Sequence, residues 1–195
     1  MIAAAKFPRQ MTPEEYLEWE ATQEMKYEYI DGEILAMTGG TVTHTRIYLN
    51  LYRSLFPHLS QRDCDVFVSD VKVQDSKSKR YFYPDLVVTC HPDDKNNNKF
   101  LEYPKVIVEV LSPSTYAYDQ KRKLKLYRQF PSLQEYILID SQRVSVEMYQ
   151  RQTGKIWGYS DYDLDETFLI PSIEFKCSVE MLYEGAIFEE IEDQE

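Results

Sequence analysis

The sequence is poor in the residues on which several large functional classes depend. It has three cysteines (Cys64, Cys90 and Cys177), odd in number and far apart along the chain. That excludes a disulfide-stapled secreted scaffold and fits a reducing, cytoplasmic setting. His44, His58 and His91 stand separately, and no Cys/His group has zinc spacing. Six glycines leave little for phosphate-cradling loops, and neither G-x-G-x-x-G nor G-x-x-x-x-G-K-S/T occurs. G-x-S-x-G is absent too, so Ser112 and Ser114 lack the setting of an esterase nucleophile. No apolar run approaches the roughly 18 residues of a membrane span. Lys6, Pro8 and Arg9 interrupt the N-terminus before the hydrophobic region of a signal peptide can form.

What is present suffices for one globular domain. The 195 residues are 43% apolar and include 16 tyrosines, enough to bury a core without staples. We expect a lead over residues 1–11, a single domain over 12–185 and an acidic tail over 186–195. The net charge of −11 speaks against a protein that coats nucleic acid non-specifically. The charge is uneven, however. Residues 70–130 hold twelve basic and eight acidic residues, a net of +4, which leaves −15 for the rest. Either the acid is a solvated surface or the basic middle faces an anion; charge alone leaves both open.

Local patterns predict an α/β or α+β fold around a mixed β-sheet flanked by helices. Thr12-Pro13-Glu14-Glu15 is a helix start with a capping box. KYEYIDGEILAM reads as a hairpin about Asp31-Gly32. Ile47, Leu51, Leu55 and Leu59 give residues 42–59 one buried helical stripe. Residues 64–73 and YFYPDLVVTC each read as a strand, the latter entered through Pro84, and HPDDKNNNK as a polar loop. VIVEVL (106–111) is apolar on both faces apart from one residue, as in a central strand. A helix over about 116–130 and strands at EYILID (135–140) and near 144–150, 155–160 and 167–170 complete the order.

Three charged residues stand where the pattern asks for something apolar. Glu109 lies inside V-I-V-E-V-L, and a buried carboxylate must be protonated, paired or bound to a metal. Asp85 opens the run Leu86-Val87-Val88; an Asp there can simply cap a strand. If their strands are neighbours, the two carboxylates approach closely and invite a hard cation, Mg²⁺ or Mn²⁺. In DQKRKLKLYRQF, Lys121, Lys125 and Arg128 form a solvated stripe. Lys123 instead shares a face with Leu126, Tyr127 and Phe130. It can snorkel, or aim its ammonium at the sheet carboxylates. Asp, Glu and Lys together suit metal-assisted phosphodiester hydrolysis.

MTPEEYLEWE, YEYIDGEI, the helix opened near His44, YPDLVV, VIVEVLSPST, DQKRKLKLY and EYILID occur in this order. As an ordered set they resemble the Uma-two family of restriction-endonuclease-like proteins of the PD-(D/E)xK nuclease superfamily, known mainly from cyanobacteria. The resemblance spans residues 11–185. It implies a restriction-endonuclease-like fold and Mg²⁺- or Mn²⁺-dependent cleavage of DNA; a homodimer is expected because a small nuclease usually cuts two strands as a pair, and the missing apolar span and nucleotide-binding motifs lead us to expect neither membrane nor organic cofactor. It also implies Asp85 and Glu109 as the metal-binding acids. The superfamily lysine would fall at Leu111; Lys123 on the next helix takes its place. Glu28 matches a further acidic position of the catalytic set, although a surface Glu paired with Lys26 or an Arg is the plain structural alternative. His44, Ser112, Asp119 and Tyr127 match positions whose roles the resemblance leaves open; Asp119 can orient Lys123 at i, i+4. Two other functions compete: a catalytically weak or inactive nuclease fold used for nucleic-acid or protein binding, and a Tyr-rich protein–protein module.

Overall fold

A computed structural model describes residues 11–37, 39–113, 116 and 118–188. Most of the expected lead and tail, and Ser114, lie outside them. Thr12 caps helix α1 (Pro13–Glu20) reciprocally with Glu15, at 3.2 and 2.9 Å. Strands β1 (Tyr27–Ile30) and β2 (Glu33–Ala36) pair about Asp31-Gly32, both at positive φ as a tight hairpin requires. Helix α2 (Val42–Leu59) buries Ile47, Leu51, Leu55 and Leu59, the predicted stripe.

The next two expected strands are each broken. Residues 64–73 form β3 (Asp65–Val68) and then leave it at Ser69, whose φ of 54° turns the chain towards β4 (Val73–Asp75). YFYPDLVVTC likewise divides into β5 (Arg80–Phe82) and β6 (Leu86–Thr89). Pro84 between them has no N–H to continue a ladder. β5 and β6 belong to different sheets, and Tyr83-Pro84-Asp85 carries the chain from one to the other. The HPDDKNNNK loop contains a short helix, α3 (Pro92–Lys95), anchored by buried Asp94, which accepts hydrogen bonds from Thr89, Glu102 and Tyr103.

β7 (Pro104–Leu111) leads into a π-helical segment, Tyr118–Lys123, continued by α4 (Leu124–Tyr127). β8 (Glu135–Asp140), β9 (Val146–Arg151) and β10 (Trp157–Tyr162) follow. The chain then forms β11 (Thr167–Ile170), β12 (Phe175–Ser178) and α5 (Val179–Leu182). The main sheet runs β10-β9-β8-β7-β6-β3, a smaller one β2-β1-β5-β4, and β11 and β12 pair by themselves. Only β7–β8 is parallel in the main sheet, so the sheet is mixed as predicted.

Alternation along β7 assigns its two faces. Val106, Val108 and Val110 pack with Leu51 and Leu55 of α2. Ile107 and Leu111 face Leu126, Tyr127 and Phe130. Glu109 therefore sits between two core residues on the face covered by the π-helical segment and the smaller sheet. One sequence reading needs correction at the opposite end of β6: Cys64 and Cys90, 26 residues apart, form a disulfide. Linear distance misled because β3 and β6 are antiparallel neighbours, which brings the residues just outside their paired ends together.

Candidate active site

Each site residue is placed by a different element. β1 carries Glu28, and the crossing between sheets carries Asp85. β7 carries Glu109, the π-helical segment Asp119 and Lys123, α4 Tyr127, and the first turn of α2 His44. Side chains on β1 and β7 converge because the smaller sheet covers this face of the main one.

Lys123 is the hub. It is 6% exposed, so it does not snorkel. Its Nζ lies 2.9 Å from Glu109 Oε1, 3.1 Å from Glu28 Oε1 and 3.4 Å from Asp119 Oδ1. Tyr127 donates to the same Glu109 oxygen at 2.8 Å, and the Tyr83 N–H to the same Glu28 oxygen at 3.2 Å. Glu28 is thus no surface residue: it is 4% exposed, and Lys26 pairs with Asp70 instead. Asp85 Oδ2 accepts from the Val110 N–H at 2.7 Å and lies 3.3 Å from His44 Nε2. That bond fixes the Asp85 carboxylate at the amide immediately after Glu109. Ser112 lies with these residues on the wall of one cleft of about 1030 Å³.

Burial pushes the Glu109 and Glu28 carboxyls above the usual carboxylate range, against the pull of Lys123. Burial alone would discharge Lys123; Glu109, Glu28 and Asp119 outweigh it and hold its pKa well above the ordinary lysine value. Lys123 is therefore held as an ammonium that donates a hydrogen bond to Glu109. Burial also disfavours protonated His44, but the Asp85 carboxylate wins and raises its pKa. Four carboxylates (Glu28, Asp85, Glu109, Asp119) thus share one ammonium and one imidazole, so the cleft has an excess of acidic oxygen. Glu109 Oε1 accepts from both Lys123 and Tyr127, and Asp85 Oδ2 accepts from the Val110 N–H. This donor set fits a hard divalent cation. Among the described residues no three Asp, Glu, His or Cys side chains are grouped as a metal-ligand cage.

Sequence reasoning missed Tyr118, Arg122 and Gly40. The Tyr118 ring lies 5.7 Å from Lys123 Nζ and 5.8 Å from the Arg122 guanidinium. Tyr118 and Lys123 are five apart, neighbours on a π-helix but not on the α-helical wheel used to read the segment. Arg122 stands on the cleft wall but pairs with Glu33 at 2.5 Å, so the positive middle of the chain is partly neutralised where it meets the cleft.

The Uma2 family model, described as "Putative restriction endonuclease", matches residues 13–181. An uncharacterised Synechocystis protein, slr1290, is 40% identical over 185 residues, covering 95% of this chain and 97% of its own. A second, sll1609, is 37% identical over 149 residues, covering 75% and 84%. Among solved structures, "a putative nuclease belonging to DUF820" from Anabaena variabilis superposes with a TM-score of 0.76 at 21% identity, covering 91% of this chain and 99% of that one. This last likeness shows the fold.

Proposed function

The chain belongs to the Uma2 family, and from that premise we propose that it is a Mg²⁺- or Mn²⁺-dependent endodeoxyribonuclease, cytoplasmic and homodimeric. The observation that carries the reading is the buried Lys123 ammonium held against Glu109, Glu28 and Asp119 on the wall of a cleft that Asp85 also lines. Asp85 and Glu109 would hold the cation, which when bound supplies a polarised water and neutralises charge on the phosphate. Lys123, held as an ammonium by its acidic neighbours, would orient the attacking water or meet the charge developing on the phosphate oxygens. Glu28 and Asp119 keep the ammonium in place. Tyr127 fixes Glu109 by donating to its Oε1, the oxygen that Lys123 also contacts. His44 sets the orientation of Asp85 and, when protonated, offsets its charge.

A plasmid assay tests the proposal. Supercoiled DNA should be nicked or linearised with Mg²⁺ or Mn²⁺ and left intact with EDTA. Glu109→Ala and Lys123→Ala should each lower the rate by at least about 100-fold, the lower range for a group that stabilises developing charge. Wild-type cutting by either variant would reject the assignment. A second reading, a nuclease fold that binds without cutting, draws on the ion-paired state of Lys26 and Arg122 at the cleft; retained DNA binding with no cutting by wild type would favour it.

A further inference from the structure

The helix that delivers Lys123 inward turns a second set of cations outward. Lys121, Lys125 and Arg128 are exposed, as is Lys155 in the turn between β9 and β10. None of the four has an acidic partner among the described residues, whereas Arg122 and Lys123 beside them do. Arg128 donates to the Lys155 carbonyl at 3.1 Å, so the helix end and the hairpin form one surface.

Aromatic rings continue that surface. The Arg151 guanidinium is fixed by the carbonyls of Leu133, Phe130 and Arg128, at 2.6, 2.7 and 3.2 Å. It lies 4.6 Å from the Trp157 ring centre, and Arg128 approaches the same ring at 5.6 Å. Two guanidiniums held against one indole, without a carboxylate between them, form a place where an anion relieves repulsion. The next row across the sheet is Tyr136, Tyr149 and Tyr159, with ring centres 6.4 and 5.2 Å apart. Tyr159 is 54% exposed. One row further lie Glu147, already occupied by Gln120 and Tyr149, and Asp161. The face is therefore graded: acidic at Asp161, aromatic in the middle, basic from Trp157 onto the helix.

We propose that this face, from Lys121 along the helix to Trp157 and Tyr159, docks an unpaired DNA strand beside the cleft, with phosphates on the cations and bases on the rings. The choice of DNA rests on the nuclease reading; the choice of an unpaired strand rests on the rings. An exposed ring can stack on a base only where the base face is free, and a duplex hides those faces. In a chain of net charge −11, a basic surface without acidic partners is also where a polyanion meets least repulsion.

Fluorescence anisotropy in EDTA, where no cutting occurs, tests the docking. The probes are labelled oligothymidylate, a mixed-sequence duplex and oligouridylate, each of about 20 nucleotides, a length that spans sites of this kind. Oligothymidylate should bind tightest. The triple variant Lys121→Glu/Lys125→Glu/Arg128→Glu should bind it at least about tenfold more weakly, and its log–log salt slope should fall by about 0.7 for each phosphate it no longer neutralises. Trp157 fluorescence, isolated by Trp19→Phe, should be quenched by oligothymidylate. All three substituted residues are exposed, and a thermal melt confirms that the variant folds. Wild-type binding by the triple variant overturns the proposal. So do equal or tighter binding of the duplex or of oligouridylate, an unquenched Trp157, or no binding by the wild type. The nuclease reading fails separately: a protein that binds oligothymidylate here but cuts no plasmid sinks that reading and leaves this surface standing.

Discussion

A single side chain decides the electrostatics of the cleft. Lys123 is the one ammonium among Glu28, Glu109 and Asp119, so replacing it with the similarly sized, neutral methionine strands three buried acids. Removing one partner of a buried pair costs about 3–5 kcal/mol. The pH dependence gives the direction. A carboxyl whose folded pKa is raised binds more protons folded than unfolded, so stability is lost as pH rises from the ordinary carboxylate value through the folded one. Burial raises Glu28 and Glu109 in this way already. Without Lys123 the raising is larger, because its opposing charge is gone. Urea denaturation of Lys123→Met should therefore show a small deficit against wild type near pH 4.5 that widens towards pH 8, an interval set by the ordinary carboxylate pKa and neutrality. A deficit that is constant with pH would mean that Lys123 contributes packing alone. Glu109 and Lys123 were legible in the sequence because each interrupts an apolar pattern, and burial of a charge demands a partner. The partners were less legible. Tyr127 reads as an ordinary core aromatic, and nothing in its spacing shows that its hydroxyl meets Glu109.

At the scale of elements, the site lies where regular structure is interrupted. Asp85 sits on the crossing between two sheets, Lys123 at the end of a π-helical segment, and His44 in the first turn of α2. These interruptions were the least legible features. A Pro inside a Val-rich run reads equally as the start of a strand and as the seam between two. Hydrophobic periodicity located the 116–130 helix but could not separate π from α winding. The turn before α2 offers a clean test. A Cβ on Gly40 would lie 2.6 Å from His44 Nδ1, while one on Gly39 meets nothing within 4 Å. Gly40 is exposed and its φ is not positive, so alanine there is tolerated by the backbone and should change stability by no more than about 0.5 kcal/mol. It should nevertheless expel the imidazole from Asp85. His44 then loses the carboxylate that raises its pKa, and its NMR titration midpoint should fall, whereas in Gly39→Ala it should match wild type. Equal midpoints in Gly40→Ala and wild type would show that His44 does not depend on this contact.

At the scale of the whole molecule, folding lays acidic segments over the basic middle of the chain. Lys72 pairs with Glu20, Arg80 with Asp31, Lys95 with Asp63 and Arg122 with Glu33. The +4 of residues 70–130 is thus neutralised largely inside the protein, whereas Lys121, Lys125 and Arg128 on the outer helix face have no acidic partner among the described residues. The sequence shows the asymmetry of charge but not which cations remain unpaired, since every one of these pairs joins residues at least 20 positions apart.

The same long-range closure produced the Cys64–Cys90 bridge, and its consequences can be measured. Closing a loop with ends 26 residues apart restricts the unfolded chain, typically by about 2–4 kcal/mol. Dithiothreitol should lower the stability of wild type by that amount in urea and leave Cys64→Ser/Cys90→Ser unaffected. Thiol counting adds an independent check. Cys177 is buried with its pKa pushed up to about 12, so the oxidised native protein should present no reactive thiol, the reduced native protein two, and the reduced unfolded protein three. A dithiothreitol-insensitive wild type, or two reactive thiols without reductant, would show the bridge unformed. The bridge lies at the opposite end of β6 from Asp85, about 16 Å of extended strand away at 3.3 Å per residue. Opening it loosens the β3 edge of the main sheet rather than the cleft, so oxidised and reduced protein should nick plasmid at the same rate below the temperature at which either unfolds. A reducing compartment would then lower the protein's stability without touching its chemistry.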